Sequence, residues 1–170
     1  GIVLVPQIPA FGHASMGITS PGRHAILDAH GEYAPLFESL NGWNWCLSNP
    51  ETQRVLRELI AEMHENFGNP PFFHIGCDEA EPQTCPECTK TPNVELVCRH
   101  IAGLSEFVKS RGARAMIWHD MFLEKKDPRW KDFVKNGGAK APEMLDALPK
   151  DIIICDWQYS YGNMKESRKD

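Results

Sequence analysis

A chain of 170 residues, 42% hydrophobic and 24% charged, is long enough for one domain with a substantial core and too apolar for a disordered segment. Its formal charge of −5, with no block of Lys and Arg, argues against a nucleic-acid or anionic-membrane surface and fits an uncharged small substrate. No apolar run approaches the roughly 20 residues that span a bilayer, and Gly1 runs straight into Ile2-Val3-Leu4-Val5 without a basic leader, a start that reads as a fragment boundary and leaves the compartment open.

Ile2 to Val5 is a continuous aliphatic run of strand length, closed by Pro6 and Pro9 into a loop that carries Phe11-Gly12-His13. A long Gly-rich connection comes next, with Trp43 and Trp45 near its end as either a sugar platform or loop packing. Ser48-Asn49-Pro50-Glu51 then announces a helix, with Ser48 as cap, Glu51 reaching back and proline tolerated in the first turn. Leu56, Leu59, Ile60, Met63 and Phe67 share its predicted core face, His64 points to solvent, and Gly68 with Pro70 and Pro71 ends it.

Phe72 to Gly76 reads as a second buried strand, and it runs through Cys77 onto the adjacent carboxylates Asp78 and Glu79. Most Asp-Glu pairs are solvated turns. A parallel strand, however, delivers the residues after it to the carboxyl-end rim of its sheet, where α/β folds bind ligands. His74, inside that strand, reads as a structural, hydrogen-bonded histidine. Val94, Val97, Ile101, Leu104 and Val108 then repeat at helical spacing, with Arg111-Gly112 as the stop. Ala113 to Trp118 is a third strand ending on Trp118-His119-Asp120, and Asp120 reads equally as pocket support or as a solvated loop carboxylate. A short helix is expected from Pro128 to Lys135, with Trp130 on its core face, and another from Pro142 to Leu148. Asp151 to Cys155 is a fourth strand ending on Asp156-Trp157.

Strands apolar throughout, separated by amphipathic helices, predict a parallel sheet covered by helices. Their starts near residues 2, 72, 114 and 152 are separated by 70, 42 and 38 positions, and the last two intervals suit the repeat of a (β/α)8 barrel. Four strands make half a barrel, so remaining barrel strands or a self-association partner are expected to cover the open edges. The alternative, a doubly wound open sheet, lacks a Gly-rich phosphate turn after any strand.

Of six cysteines, Cys77, Cys85, Cys88 and Cys98 lie within 22 positions. Cys85-Pro86-Glu87-Cys88 is a CxxC that fits half of a zinc site, a disulfide or two free thiols. These four are the candidate metal ligands, although Cys77 and Cys98 are irregularly spaced for a second pair. The motif lies after a turn-rich stretch, which weighs against a redox role. The histidines form no metal triad, so neither a catalytic metal nor a cofactor is expected.

In order and spacing these landmarks resemble barrel strands three to six of glycoside hydrolase family 20, the β-N-acetylhexosaminidases. His74-Ile75-Gly76-Cys77-Asp78-Glu79 resembles the family's His-x-Gly-Gly-Asp-Glu signature, and Val5-Pro6-Gln7-Ile8-Pro9-Ala10-Phe11-Gly12-His13-Ala14 resembles its Pro-Glu-x-Asp-x-Pro-Gly-His loop. Trp118-His119-Asp120-Met121-Phe122 is similar to the segment after the fifth strand, and Asp156-Trp157 to the tryptophan-bearing end of the sixth. Gln7, Pro9 and Cys77 depart from the pattern, standing where the family has Glu, Asp and Gly.

The resemblance implies a single domain over 1–170, a segment of a catalytic barrel, acting on N-acetylhexosamine-containing glycans without a cofactor. It implies Asp78 and Glu79 as catalytic residues and His13, Trp118, Asp120 and Trp157 as substrate-binding ones. Two adjacent carboxylates suit poorly the usual retaining arrangement, which sets its acids about 5 to 5.5 Å apart across the sugar. They suit substrate assistance, in which the 2-acetamido oxygen attacks the anomeric carbon. Asp78 then orients the amide, while Glu79, its pKa raised by burial and by Asp78, moves the proton. Two other classes stand beside this one: a non-catalytic carbohydrate-binding relative, suggested by the departures, and a metal-stabilised interaction module built on the cysteines.

Overall fold

The computed structural model describes residues 1–15, 27, 29–39 and 42–159, so parts of the Gly-rich connection, at 16–26, 28 and 40–41, lie outside the described residues. Three parallel strands, β1 (Phe72–His74), β2 (Arg114–Trp118) and β3 (Ile153–Cys155), pair in that order, with His74 opposite Met116 and Met116 opposite Ile153. Helices α1 (Pro50–Asn66), α2 (Asn93–Ser110) and α3 (Ala141–Ala147) alternate with them. Right-handed crossovers of this length are what parallel pairing requires.

The first expected strand is the largest departure. Ile2, Val3, Leu4 and Val5 are not a strand, and Ile2 is 94% exposed. The chain joins the sheet a few residues later, where Ile8 N–H donates to His74 O, His74 N–H donates to Pro6 O and Gln7 bridges His74 in parallel. The aliphatic run therefore lies beyond the reach of β1, and among the described residues nothing pairs with it.

Helix α1 begins one position later than the sequence suggests: Asn49, not Ser48, caps it by accepting the Glu51 N–H. Its core face is also rotated. Thr52, Leu56, Ile60 and His64 are buried at spacings of four, whereas Leu59 and Phe67 are exposed. His64 turns inward because its imidazole bonds the Pro70 carbonyl at 2.9 Å, a partner outside the helix that no periodicity announces.

Helix α2 is as expected, burying Val97, Ile101, Leu104 and Val108, and Gly112 at φ +83 ends it with an N–H to Lys109 O. Between Pro128 and Trp130 there is only a 3-10 turn, and Trp130 is half-buried against Phe133, not a core residue.

His100 of α2 ties the helix to the loop before β1. Its Nε2–H donates to Ala10 O at 2.8 Å and its Nδ1 accepts from Gln53 Nε2 at 2.9 Å, a pair of bonds that only the neutral ring can make. Burial lowers the His100 pKa from 6.5 to about 4. Between those values the unfolded chain binds the proton and the folded chain does not. Stability is therefore complete above pH 6.5, falls as pH drops through this window and has lost on the order of 3 kcal/mol from this group below its folded pKa. Urea unfolding at pH 7 and pH 4.5 should show a smaller pH-linked loss in His100→Gln than in the parent, and an identical loss would refute the assignment.

Candidate active site

The site is built at the carboxyl ends of β1 and β2 by backbone that leaves the sheet sharply. Gly76, Cys77 and Glu79 all have positive φ, at 68°, 73° and 46°. Gly76 needs its freedom doubly, since a Cβ there would stand 3.0 Å from Pro9 Cα. Cys77 occupies a left-handed position that glycine would fill without strain, and the cost for a side-chain-bearing residue is roughly 1–2 kcal/mol. Its side chain is wholly buried beneath the pair, where burial, with the charges of Asp78 and Asp120, pushes the thiol pKa up and leaves it inert.

His13 reaches the pair from the preceding loop. Its Nε2 lies 3.4 Å from Asp78 Oδ2 and 3.2 Å from Glu79 Oε2, so one imidazole faces both carboxylates. Gly12 permits this approach, because a Cβ at that position would meet Asp78 O at 2.5 Å. Trp43 backs His13, with ring centroids 4.2 Å apart, and its Nε1–H donates to Glu79 O at 3.0 Å. Asn44 completes the clasp by exchanging bonds with the backbone of Glu81, donating at 2.7 Å and accepting at 3.2 Å. Trp45 instead packs inward, stacked on Phe37.

The two carboxylates differ in environment. The Asp78 side chain is 19% exposed, and burial, reinforced by the charges of Asp120 and Glu79, raises its pKa against the opposing pull of His13 and a backbone amide. Glu79 is 44% exposed, so the burial expected for the proton donor is absent within these residues.

Of the two readings of Asp120, the structure favours pocket support over a solvated loop carboxylate. It is fully buried, and its carboxylate accepts from Glu79 N–H at 3.0 Å, Asn136 Nδ2 at 2.9 Å and Trp157 Nε1 at 3.3 Å. Asp120 therefore ties the backbone of Glu79 to the ends of β2 and β3. Trp118 lies half-buried against His74, with centroids 4.3 Å apart, and Trp157 is half-buried beside His119 and Tyr159. His74 is the structural residue expected, accepting from Gly76 N–H at 3.0 Å, and burial lowers its pKa to about 4.

The cysteines regroup. Cys98 faces Met144 O and Cys77 sits under the carboxylates, whereas Cys85 and Cys88 meet Cys46, a residue outside the four expected ligands. Cys46 lies 39 positions before Cys85, and no local spacing marks such a partner.

The carboxylate pair at a parallel strand end, the histidine facing both and the tryptophans near the next two strand ends stand together on one rim of the α/β sheet. The profile of the glycosyl hydrolase family 20 catalytic domain matches residues 1–169, and the chain belongs to that family. Among solved structures it is similar to Dispersin B, at 17% identity and a TM-score of 0.60 over 99% of this chain and 42% of that one. It is also similar to the β-N-acetylhexosaminidase from Bacteroides fragilis, at 20% identity and 0.60 over 99% of this chain and 30% of that one. The exo-β-N-acetylglucosaminidase from Vibrio harveyi, solved in complex with N-acetylglucosamine, matches at 18% identity and 0.63 over 99% of this chain and 25% of that one. The chain thus spans well under half of these structures, and its parallel sheet is an arc of a (β/α)8 barrel.

Proposed function

We propose that these residues form the central segment, strands three to six, of a barrel that hydrolyses terminal non-reducing β-linked N-acetylhexosamine, GlcNAc or GalNAc, by a substrate-assisted retaining mechanism. The observation that carries this reading is the adjacency of Asp78 and Glu79 on one strand end, both within 3.4 Å of His13 Nε2. Family membership supplies the class of reaction.

In this mechanism Asp78 accepts the acetamido N–H and stabilises the oxazolinium charge as the acetamido oxygen bonds to the anomeric carbon. Glu79 gives its proton to the departing glycosidic oxygen, then takes one from the water that opens the ring. Trp118 and Trp157 present aromatic faces to the apolar side of the sugar and the acetamido methyl. His13 sets the charge between the carboxylates, and Asp120 acts through the Glu79 backbone.

The test is a series of aryl glycosides whose N-acetyl group carries zero to three fluorines. Each fluorine weakens the acetamido oxygen as a nucleophile, so kcat should fall progressively along the series. A flat series would remove substrate assistance, and binding without turnover of any member would favour a non-catalytic carbohydrate-binding protein.

A further inference from the structure

We propose that Cys46, Cys85 and Cys88 bind one structural zinc ion that staples the loop carrying Trp43, Asn44 and Trp45 to the loop leaving Asp78 and Glu79. The site stands apart from the carboxylates and does not depend on the hydrolase reading.

Its geometry is that of a thiolate tripod. Cys46 Sγ lies 3.8 Å from Cys85 Sγ and 3.7 Å from Cys88 Sγ, and all three sulfurs fall within 4.8 Å of one another. Zinc–sulfur bonds of about 2.3 Å at tetrahedral angles place sulfurs about 3.8 Å apart, whereas a disulfide brings them to about 2.0 Å. The spacing fits ligands around a common centre.

Backbone hydrogen bonds order the surrounding loop. Cys88 N–H points at Cys85 Sγ at 3.4 Å, and Thr89 N–H closes the Cys-Pro-Glu-Cys turn onto Cys85 O at 3.0 Å. Zinc binding would displace the thiol protons, which makes affinity fall as pH drops.

A fourth, neutral oxygen comes from Gln83 or from water. Gln83 Oε1 stands 3.1 Å from Cys88 Sγ, while its Nε2 donates to Trp45 O and its oxygen also takes the Leu47 N–H. Soft sulfur ligands in a tetrahedral set select zinc over magnesium or calcium. Two cysteines come from the loop after Glu79 and one from the loop after Trp45, so the ion would brace the clasp in which Trp43 holds Glu79 O and Asn44 holds Glu81.

Elemental analysis of protein purified under reducing, metal-buffered conditions should find one zinc per chain. Cys46→Ser and Cys85→Ser should lose it, and the Cys98→Ser control should keep it. Replacement by Co(II) should add thiolate-to-cobalt charge-transfer bands in the wild type. If the serine variants do not fold, the wild type still decides the matter: a chromophoric chelator should release one zinc while three cysteines become reactive to a thiol reagent. Zinc well below one per chain with no cobalt–thiolate band would overturn the proposal. So would a Cys46 disulfide mapped in protein trapped with alkylating reagent at lysis.

Discussion

Glu79→Gln should lower turnover of N-acetylhexosaminides with poor leaving groups by about 10²–10⁴-fold, the range removed with a general acid, and should spare aryl glycosides whose leaving group departs without a proton. The amide keeps the volume and the hydrogen-bonding capacity of the carboxyl but carries no transferable proton. Glu79 is placed for the task because its backbone is held from two sides, the N–H by Asp120 and the carbonyl by Trp43. Its side chain, 44% exposed beside His13, stands at the rim. Plotting log kcat against leaving-group pKa for both proteins checks this: a steep slope in the variant and a shallow one in the parent is expected. Parallel lines would show that Glu79 does not donate the proton.

Asp78→Asn should reduce kcat on N-acetyl sugars by about 10²–10³-fold, the loss typical when a preorganised group facing a developing charge is removed. The substitution preserves shape and removes the negative charge that faces the oxazolinium. Asp78 differs from its neighbour in being mostly buried, and burial, with Asp120 and Glu79, raises its pKa while His13 opposes them. Loss of that imidazole contact should therefore raise the pKa further and shift the acid limb of the pH–rate profile upward. The check on Asp78 itself is a kcat comparison across the fluorinated N-acyl series. The parent should decline with each fluorine, whereas the variant should start low and respond weakly. An unchanged rate on the N-acetyl substrate would remove Asp78 from the chemistry.

Both predictions concern the protein that contains this barrel segment in full. The segment Ile2–Val5 is apolar and exposed, and the Glu79 side chain is 44% exposed. In a complete (β/α)8 barrel, further strands pair beside the outer strands of this sheet.

Legible in the sequence were the order of three parallel strands and the helices between them, the position of Asp78 and Glu79 just past a strand end, and the tryptophans near the next two. Each of these is set by a short stretch: an apolar run, a helical repeat, a glycine stop. Tertiary structure alone decided the features that depend on residues far apart in the chain. Asp120, equally a pocket support or a solvated carboxylate by sequence, is the buried anchor of Glu79, 41 residues away, and Cys46 stands with Cys85 and Cys88 where Cys77 and Cys98 were the expected ligands. His64 turned inward to a carbonyl beyond its own helix. Ile2–Val5, a strand by composition, stayed exposed because a strand exists only where another backbone supplies its hydrogen bonds. Local patterning states what a segment prefers, and desolvation and long-range pairing decide which of its side chains find partners.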